Sequence, residues 1–295
     1  MTHTKLRSLL VTLLLPICFS VHAEKTLNFS TWNLEWLSST PSDKFPQSQR
    51  LEKDYAALAA HFASMDSDIV AFQEVNDEKA LRKVIGKQYR VYFSTRRNPE
   101  HAEHQFTAIN QYTGFAVREG ISVIEKESLQ LDTSHHSKLR FASYVVISPT
   151  SDTPIHALSV HLKARCSGAF RNNDACRTLK RQGKALNHWI REREARGERY
   201  MILGDFNHNM SYPKDWLWEI VSQGSAAKLA TRETKATCKV RSRNNPNKTH
   251  QFRSLIDHVI TSGHISVSNL EQRNYKTDDL FRYKISDHCP ITLTK

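Results

Sequence analysis

The sequence predicts an α/β fold in which mixed β-sheets pack face to face and helices cover their outer surfaces. Short apolar segments typical of buried strands alternate with amphipathic stretches typical of helices, and several predicted strands follow one another between residues 89 and 162. Such a run of strands excludes strict strand–helix alternation, so the sheets are predicted to be mixed. A length of 295 residues, with 39% hydrophobic and 24% charged residues, fits one globular domain.

Polarity patterns predict the elements in order along the chain. Alternating polarity predicts a first strand at 27–32, a one-sided apolar stripe predicts a helix at 51–62, and an apolar run predicts a buried strand at 68–72. A longer helix is predicted at about 176–196. The other predicted strands are 89–94, 112–117, 139–147, 155–162, 199–203, 255–261, 265–270 and 290–293.

The N-terminus has the pattern of a secretory signal peptide at residues 1–23. Lys5 and Arg7 precede an apolar run at 9–19, and Ala23 stands before Glu24 at the predicted cleavage site. The run is too short to cross a bilayer, which needs about 20 residues; a buried N-terminal helix is the alternative. We therefore expect a periplasmic or secreted protein with residues 24–295 as its single domain and no integral membrane segment.

Four cysteines remain in the predicted mature chain: Cys166, Cys176, Cys238 and Cys289. An even number in an exported protein predicts disulfides, although four cysteines allow three pairings. Cys166 and Cys176 flank a short polar loop that a bridge could close at small entropic cost, so this pair is the first choice. Cys238 would then pair with Cys289 by elimination.

Reactive side chains follow several predicted strands at once. Loops at strand ends are where a rigid scaffold presents functional groups, and acids, amides and histidines accumulate at six of them. An isolated acid in such a place is usually a turn or helix cap, but together these segments form a coherent set of oxygen ligands, amides and histidines. They are Asn33-Leu34-Glu35, Gln73-Glu74, His161, Gly204-Asp205-Phe206-Asn207, Asp257-His258 and Ser286-Asp287-His288.

These motifs, in this order, resemble the endonuclease/exonuclease/phosphatase family, which includes deoxyribonuclease I-like enzymes. The resemblance extends from Thr31 to Pro290, and Gly-Asp-Phe-Asn with Ser-Asp-His-x-Pro is its most specific part. It implies a four-layer α/β sandwich of two packed mixed sheets flanked by helices, with the site at one edge of the sheets.

The resemblance also implies a metal-dependent phosphoester hydrolase. A cation must neutralise the phosphodiester before a nucleophile can approach it. Glu74 is the first candidate ligand, with Asn33 beside it, Asp287 as a further ligand and Glu35 ranked lower. Carboxylate ligands favour Mg²⁺ or Mn²⁺, with Ca²⁺ as a further candidate.

Acid–base roles are assigned on the same resemblance. His288 is expected to act as general acid or base, paired with Asp257, which would orient its ring and stabilise the imidazolium. His161 is expected across the site as a donor to a phosphoryl oxygen or the leaving group. Asp205 would orient the attacking water, and Asn207 would donate to the developing charge on phosphate.

Four further residues are predicted to line the site. Tyr112 resembles a tyrosine of abasic-site endonucleases, with an ordinary strand aromatic as the alternative. Arg165, Arg171 and Arg177 follow His161 in the chain and are expected to contact substrate. His258, next to Asp257 on a strand, should point to the opposite face and pack there.

The charge of the chain favours a nucleic acid substrate. The formal net charge of +12 falls by only two when Lys5 and Arg7 are removed, and basic residues cluster at Arg96-Arg97, Lys163, Lys180-Arg181 and 241–248. DNA is the expected substrate and RNA the other candidate, with the chain acting as a monomer. The alternatives are a sphingomyelinase- or phosphoinositide-phosphatase-like hydrolase and, from another class, a non-catalytic or toxin-type nucleic-acid-binding module.

Overall fold

The structure, a computed structural model, describes residues 26–134, 137–149, 153–242 and 244–295. The predicted signal peptide at 1–23 and Arg243 in the basic segment lie outside the described residues. The helices are α1 (Glu52–Met65), α2 (Glu78–Ile85), α3 (Asp174–Ala195), α4 (Trp216–Ser222) and α5 (Thr277–Arg282). The strands are β1 (Asn28–Leu37), β2 (Ile69–Val75), β3 (Tyr89–Phe93), β4 (Tyr112–Arg118), β5 (Ser122–Leu129), β6 (Ala142–Ser148), β7 (Ile155–His161), β8 (Arg199–Asp205), β9 (Lys228–Leu229), β10 (Lys239–Arg241), β11 (Thr249–Gln251), β12 (Asp257–Thr261), β13 (Ser268–Gln272) and β14 (Ile291–Thr294).

Two six-stranded sheets contain most of the strands. The first has the order β13-β14-β1-β2-β4-β3, and the second has the order β5-β6-β7-β8-β12-β9. Both are mixed: β1 and β2 are parallel, as are β7 and β8, while the other pairs are antiparallel. Strands β10 and β11 form a separate two-stranded hairpin.

Three apolar clusters define four layers and confirm the predicted sandwich. The first cluster packs α1 and α2 on the outer face of the first sheet, and the second packs α3 and α4 on the second sheet. The third lies between the sheets, where Phe29, Phe115 and Leu203 are fully buried. Neither face of either sheet can remain apolar in water, so the sandwich buries all four.

Strand β1 continues five residues beyond the predicted strand, and the extension positions the site. The pairing of β1 with β2 shifts between Asn33 and Leu37, and Glu35 and Trp36 there have positive φ values of 44° and 53°. This bulge turns the polar residues at the end of β1 toward the second sheet.

Several elements differ from the sequence prediction, which also lacked α4, α5 and the short strands β9, β10 and β11. Strand β5 was missed because it is an edge strand of largely exposed, polar residues without an apolar signal. Helix α2 was also missed, although Asp77 caps its N-terminus and Gly86 ends it. Strand β13 begins three residues later than predicted, at Ser268, because Ile265 belongs to the turn before it.

Both predicted disulfides are present, Cys166–Cys176 and Cys238–Cys289. The first closes a loop that follows His161 in the chain, and the second includes Cys289, the residue after His288. Among the helices of the described ranges, none combines the length and apolar character that a bilayer crossing requires.

Candidate active site

The site lies between the two sheets, at the edge where β2, β7 and β8 end. His161 on β7 and Asp257 on β12 are the register partners of Asp205 on β8, so these three residues form one row across neighbouring strands. Residues in register on adjacent strands share a face, and the inward face of this sheet carries Leu203 and Val259. The row therefore points toward the first sheet.

Asp205 is held in place from both sheets. Its Oδ2 accepts hydrogen bonds from Nδ2 of Asn33 (3.0 Å) and of Asn207 (3.1 Å), and its Oδ1 accepts from the backbone N–H of Asn207 (2.7 Å). Nδ2 of Asn33 also lies 3.1 Å from Oε1 of Glu74. One amide on β1 thus links a carboxylate of the first sheet to a carboxylate of the second.

The Gly204-Asp205-Phe206-Asn207 motif has a packing reason as well as a chemical one. Gly204 has a φ of 151°, and a Cβ there would lie 2.0 Å from the carbonyl oxygen of Val160, so only glycine permits this approach of β8 to β7. Phe206 is fully buried and anchors the turn. Asn207 has a φ of 53°, which asparagine tolerates better than most residues, and this conformation turns its amide back to Asp205.

Glu74 is another non-glycine residue in the left-handed region, with a φ of 58°. Its Oε2 accepts a hydrogen bond from the backbone N–H of Trp36 at 3.2 Å, so the β1 bulge and Glu74 hold each other. Backbone strain of this kind costs about 1–3 kcal/mol per residue and concentrates at functional sites. Its presence at Glu35, Glu74 and Asn207 therefore supports the assignment of this edge as the site.

His288 is oriented as the sequence predicts. Its Nδ1 lies 2.8 Å from Oδ2 of Asp257, and its backbone N–H donates to Oγ of Ser286, which in turn donates to the carbonyl of Asn33. Burial by itself would lower the pKa of His288, but the charges of Asp257 and Asp205 raise it well above its usual value. His288 is therefore positively charged at neutral pH.

His161 has the opposite electrostatic environment. Its Nε2 lies 3.5 Å from both Glu74 Oε1 and Asp205 Oδ2. Burial lowers the pKa of His161 well below its usual value, and the charges of Arg140 and His288 lower it further. Its Nδ1 is buried and has no hydrogen-bond partner among the described residues. His161 is therefore neutral at physiological pH.

The buried carboxylates of the site repel one another. Burial raises the pKa of Asp205 to about 7, with Asp257 adding to the shift and His288 opposing it. Burial and the charge of Asp287 raise the pKa of Glu35 to about 8, against the opposing charge of Arg50. Raised pKa values mean that the negative charges in this cluster are poorly compensated. A divalent cation would compensate them.

Comparison with known proteins identifies the family whose motifs form this site. The family model described as "Endonuclease/Exonuclease/phosphatase family" matches residues 30–288. The chain belongs to this family. It is therefore a phosphoester hydrolase of the metal-dependent kind that the family comprises. A sequence search of the curated proteins finds no significant match.

Solved structures with 12–20% sequence identity to this chain share its fold. An endonuclease/exonuclease/phosphatase from Bacteroides vulgatus has a TM-score of 0.63 at 15% identity, covering 92% of this chain and 98% of the other. TDP2 from C. elegans has a TM-score of 0.62 at 20% identity, covering 91% and 74%. A mannosyl-6-phosphatase from Bacteroides thetaiotaomicron has a TM-score of 0.59 at 12% identity, covering 90% and 98%.

The described residues offer two sets of ligand atoms with the spacing of a metal site. Ligand atoms of Glu74, His161 and Asp205 all lie within 4.8 Å of one another, as do those of Asp205, Asp257 and His288. The first set, with the oxygen of Asn33 on the same edge, suits the divalent cation of the family. Carboxylate oxygens are the ligands that Mg²⁺ prefers, so these residues fit the group.

Asp287 and Glu35 form a separate pair next to this set. The backbone N–H of Asp287 donates to Oε2 of Glu35 at 3.0 Å, and Oδ1 of Asp287 lies 3.9 Å from Nε2 of His288. The structure thus groups Asp205, rather than Asp287, most closely with Glu74. The assignment of Asp287 and Glu35 as ligands stays a prediction.

Within the described part of the chain, Tyr112 and the three predicted arginines form no hydrogen bond or ion pair with the carboxylates and histidines described above. Tyr112 pairs with Val75 across the sheet, and its hydroxyl donates to Gln105 at 3.1 Å, so its catalytic role stays a prediction. The other predicted substrate contacts, Arg165, Arg171 and Arg177, are exposed. Arg177, in the first turn of α3, pairs with Asp174 of the same turn and with Asn172 just before the helix. Their contact with substrate stays a prediction.

Arg140 and Arg50 belong to the site but were missed by the sequence analysis. Arg140 donates to the carbonyl of Leu162, and its Nε is shielded from water without a partner among the described residues. The charges of Glu74 and Asp205 act on it. Arg50 donates to the carbonyls of Glu35 (2.8 Å) and Leu34 (3.2 Å) and so holds the β1 bulge.

Arg140 precedes strand β6, and this explains the omission. Because β6 runs antiparallel to β7, the start of β6 lies at the same sheet edge as the end of β7, where His161 stands. A search confined to strand ends cannot find such a residue. The sequence prediction also placed Arg140 inside a strand, at 139–147, whereas β6 begins at Ala142.

Proposed function

We propose that this chain is an exported, Mg²⁺- or Mn²⁺-dependent nuclease that hydrolyses phosphodiester bonds in DNA, with RNA as the other candidate polymer. The supporting observation is the centre of the site. Asp205 Oδ2 lies 3.5 Å from Nε2 of neutral His161 and 3.8 Å from Nε2 of charged His288. One carboxylate, one neutral imidazole and one charged imidazole converge where a phosphate can bind.

Glu74, with Asn33 beside it, is the residue proposed to hold the divalent cation, and Asp287 and Glu35 are the further candidate ligands. When bound, such an ion neutralises phosphate charge and makes a water molecule easier to deprotonate. Mg²⁺ and Mn²⁺ suit hard oxygen ligands best, and Ca²⁺ is the further candidate.

Asp205 and His288 would carry the protons of the reaction. Asp205 orients a water molecule and accepts its proton while the new phosphorus–oxygen bond forms. His288, charged and oriented by Asp257, donates its Nε2 proton to the leaving oxygen as the old phosphorus–oxygen bond breaks. Transfer of the proton from Asp205 to the neighbouring His288 then restores both groups.

Three donors would bind the phosphoryl oxygens. His161, Asn207 and Arg140 lie on the side of Asp205 that belongs to the second sheet, and Asn207 also donates to the carbonyl of Leu162 at 3.2 Å. Preorganised donors of this kind stabilise the charge that develops on phosphate. Arg140 would retain its charge near substrate and match phosphate geometry.

A polyanionic substrate is favoured over a lipid. The net charge of +12 attracts a phosphate backbone. The sphingomyelinase-like alternative calls for an exposed apolar segment that could insert into a membrane. Trp216-Leu217-Trp218 is an apolar run in the sequence, but it forms helix α4, in which Leu217 is fully buried and both tryptophans pack against the core.

Export is proposed from the N-terminal pattern and is supported by two disulfides, which persist in oxidising compartments. Mass spectrometry of the unreduced protein from the producing cell tests it. A mature mass beginning at Glu24 with no free thiols is expected; a mass that includes residues 1–23, with all five cysteines of the full sequence as free thiols, would reject export.

A substrate panel tests the nuclease proposal. The mature protein with Mg²⁺ is assayed on plasmid DNA, single-stranded DNA, RNA, sphingomyelin and inositol phosphates. Cleavage of a nucleic acid at a kcat/KM at least 100-fold above that for the lipid and inositol phosphates is expected. Preferential hydrolysis of either of the latter would replace this proposal with the lipid or phosphoinositide alternative, and DNA binding without hydrolysis of any substrate would favour a binding module.

A further inference from the structure

A cavity of about 660 Å³ opens beside His288. Asp257, Asp287, His288 and Asn207 form one side of it, and the β10–β11 hairpin with the segment that follows forms the other. Its volume lies within the ~300–1,000 Å³ typical of small-molecule sites. The cavity therefore adjoins the reacting phosphate but extends well beyond it.

The hairpin wall is attached directly to the catalytic loop. Cys238, just before β10, is bonded to Cys289, the residue after His288. The backbone N–H of Cys238 also donates to Oε1 of Gln272 on β13 at 2.8 Å. The covalent bond and the hydrogen bond fix the distance between the hairpin and His288.

The hairpin segment carries only positive charge. Between Thr234 and Ile256 the sequence has six lysines and arginines and no aspartate or glutamate. Two of these, Arg241 and Arg253, line the cavity. Arg241 also lines a second cavity of about 340 Å³ on the Glu35 side of Asp287, so the two cavities meet at β10. Acidic ligands and phosphates are the chemistry that such a wall attracts.

The cavity also presents an aromatic ring. Phe252 is 37% exposed, and the ring of His250 packs against it edge-on with centroids 5.2 Å apart. The backbone N–H of Phe252 donates to the carbonyl of Cys238 at 3.0 Å, which holds the backbone of Phe252 next to the disulfide. A partly exposed ring beside arginines is the arrangement on which nucleic acid bases stack, because every base has a π-face.

We propose that this cavity binds an unpaired nucleotide next to the phosphate that is cleaved, with its base on Phe252 and its phosphate near Arg241 and Arg253. This inference rests on the proposed nuclease function and narrows it. Stacking requires a base that is free of its duplex partner, so the preferred substrate is single-stranded nucleic acid or a frayed end. A small phosphorylated metabolite would leave the aromatic wall unused.

The test compares two substrates in each variant. The kcat/KM for a single-stranded oligonucleotide is divided by that for bis(4-nitrophenyl) phosphate, which has no base. Because both reactions use the same metal and His288, a misfolded or metal-poor preparation lowers both values and leaves their ratio unchanged. Phe252→Ala and Arg253→Gln should each lower the ratio about tenfold or more, on the scale of one lost base stack or phosphate contact.

Phe281 supplies the matched control. It is also 37% exposed, but it lies on α5 and lines neither cavity. Phe281→Ala should keep the ratio within twofold, and Phe252→Trp, which preserves a stacking surface, should restore most of it. An unchanged ratio in Phe252→Ala would overturn the proposal, as would an equal loss in Phe281→Ala.

Abasic substrates locate the subsite. A series of oligonucleotides, each lacking one base near the cleavage position, should contain one that the wild-type protein cleaves about tenfold more slowly, and Phe252→Ala should be insensitive to that base. Equal sensitivity of both proteins at every position would overturn the subsite alone. A wild-type protein that hydrolyses the small diester but no oligonucleotide would instead reject the nuclease function.

Discussion

The two histidines of the site, His161 and His288, lie on opposite sides of Asp205 and have opposite charge states. His161 belongs to the second sheet, is close to Arg140 and is neutral; His288 belongs to the loop before β14, is bonded to Asp257 and is charged. Both are largely shielded from water, so burial alone does not set them apart. The difference comes from the balance of causes: burial, followed by the charges of Arg140 and His288, lowers the pKa of His161, whereas the charges of Asp257 and Asp205 outweigh burial at His288.

This difference separates two kinds of catalytic work. A charged imidazole fixed by a carboxylate can release a proton to a leaving group, whereas a neutral imidazole among carboxylates can donate a hydrogen bond or ligate a cation. We therefore propose that two residues of the same type take different roles because their neighbours differ.

Removal of His288 should have the largest effect on turnover. His288→Ala should lower kcat by on the order of 10²–10⁴-fold, since the proton donor is lost. His288→Gln should not restore it, because a neutral amide cannot supply the proton. His188→Ala, at an exposed position on α3, is the control. Near-normal kcat in His288→Ala at saturating metal would make this residue structural.

His161 should respond differently to the same pair of changes. His161→Ala should lower kcat by on the order of 10²-fold, but His161→Gln should recover a substantial part, because a neutral donor suffices there. The comparison of the Gln variants at the two sites tests the asymmetry. Equal recovery, or equal failure, at both positions would show that the charge states do not distinguish the roles.

Each histidine is followed by a disulfide, so the disulfides extend the comparison to stability. The sequence separation is 10 for Cys166–Cys176, which follows His161 in the chain, and 51 for Cys238–Cys289, which includes the residue after His288. On chain-entropy estimates, loss of the first costs about 3 kcal/mol and loss of the second about 4 kcal/mol. Cys166→Ser/Cys176→Ser and Cys238→Ser/Cys289→Ser should both lower the free energy of unfolding in urea.

Turnover should fall more in the second double variant, because Cys289 adjoins His288 directly. Reductant should reproduce both losses in the wild-type protein. Unchanged melting and turnover after complete reduction would mean that neither bond restrains its histidine.

The smallest expected effect concerns a further buried histidine, His258, and the pH dependence of stability. As predicted, it points away from the site, and Thr231 Oγ1 and the backbone N–H of Met210 contact its ring nitrogens. Burial lowers its pKa to about 3, below the usual value of 6.5, so the unfolded chain binds the extra proton first. Its contribution to stability is therefore present above pH 6.5 and is lost as the pH falls toward 3.

Urea unfolding at pH 7 and pH 5 measures this contribution. The wild-type free energy of unfolding should fall by up to ~1.4 kcal/mol per pH unit more than that of His258→Gln. His188→Gln should follow the wild type. Identical pH slopes for the wild type and His258→Gln would contradict a neutral, buried His258.

Much of the fold and half of the site could be predicted because strands leave clear signals in sequence. Apolar runs ending in acids or histidines marked Glu74, His161 and Asp205, and the structure brings them together because the ends of parallel strands meet at one edge. The short polar loop between Cys166 and Cys176 likewise predicted its bridge. These features depend on local sequence.

The features that could not be predicted from the sequence depend on which strands are neighbours, on contacts distant in sequence, or on exposure to solvent. Arg140 stands before a strand and reaches the site only because β6 is antiparallel to β7. Arg50 acts on backbone carbonyls distant in sequence, including that of Ile285. The edge strand β5 faces solvent, so it has no apolar pattern to detect.

Metal dependence on a nucleic acid substrate tests the central claim most directly. Mature protein is stripped with EDTA, and single-stranded DNA cleavage is measured before and after addition of Mg²⁺, with Glu74→Gln in parallel. The wild-type protein should be inactive when stripped and regain full turnover with Mg²⁺, while Glu74→Gln should need far more Mg²⁺ and remain at least 100-fold slower. Full DNA cleavage after exhaustive chelation, or recovery of Glu74→Gln to the wild-type rate at the same Mg²⁺ concentration, would contradict the account.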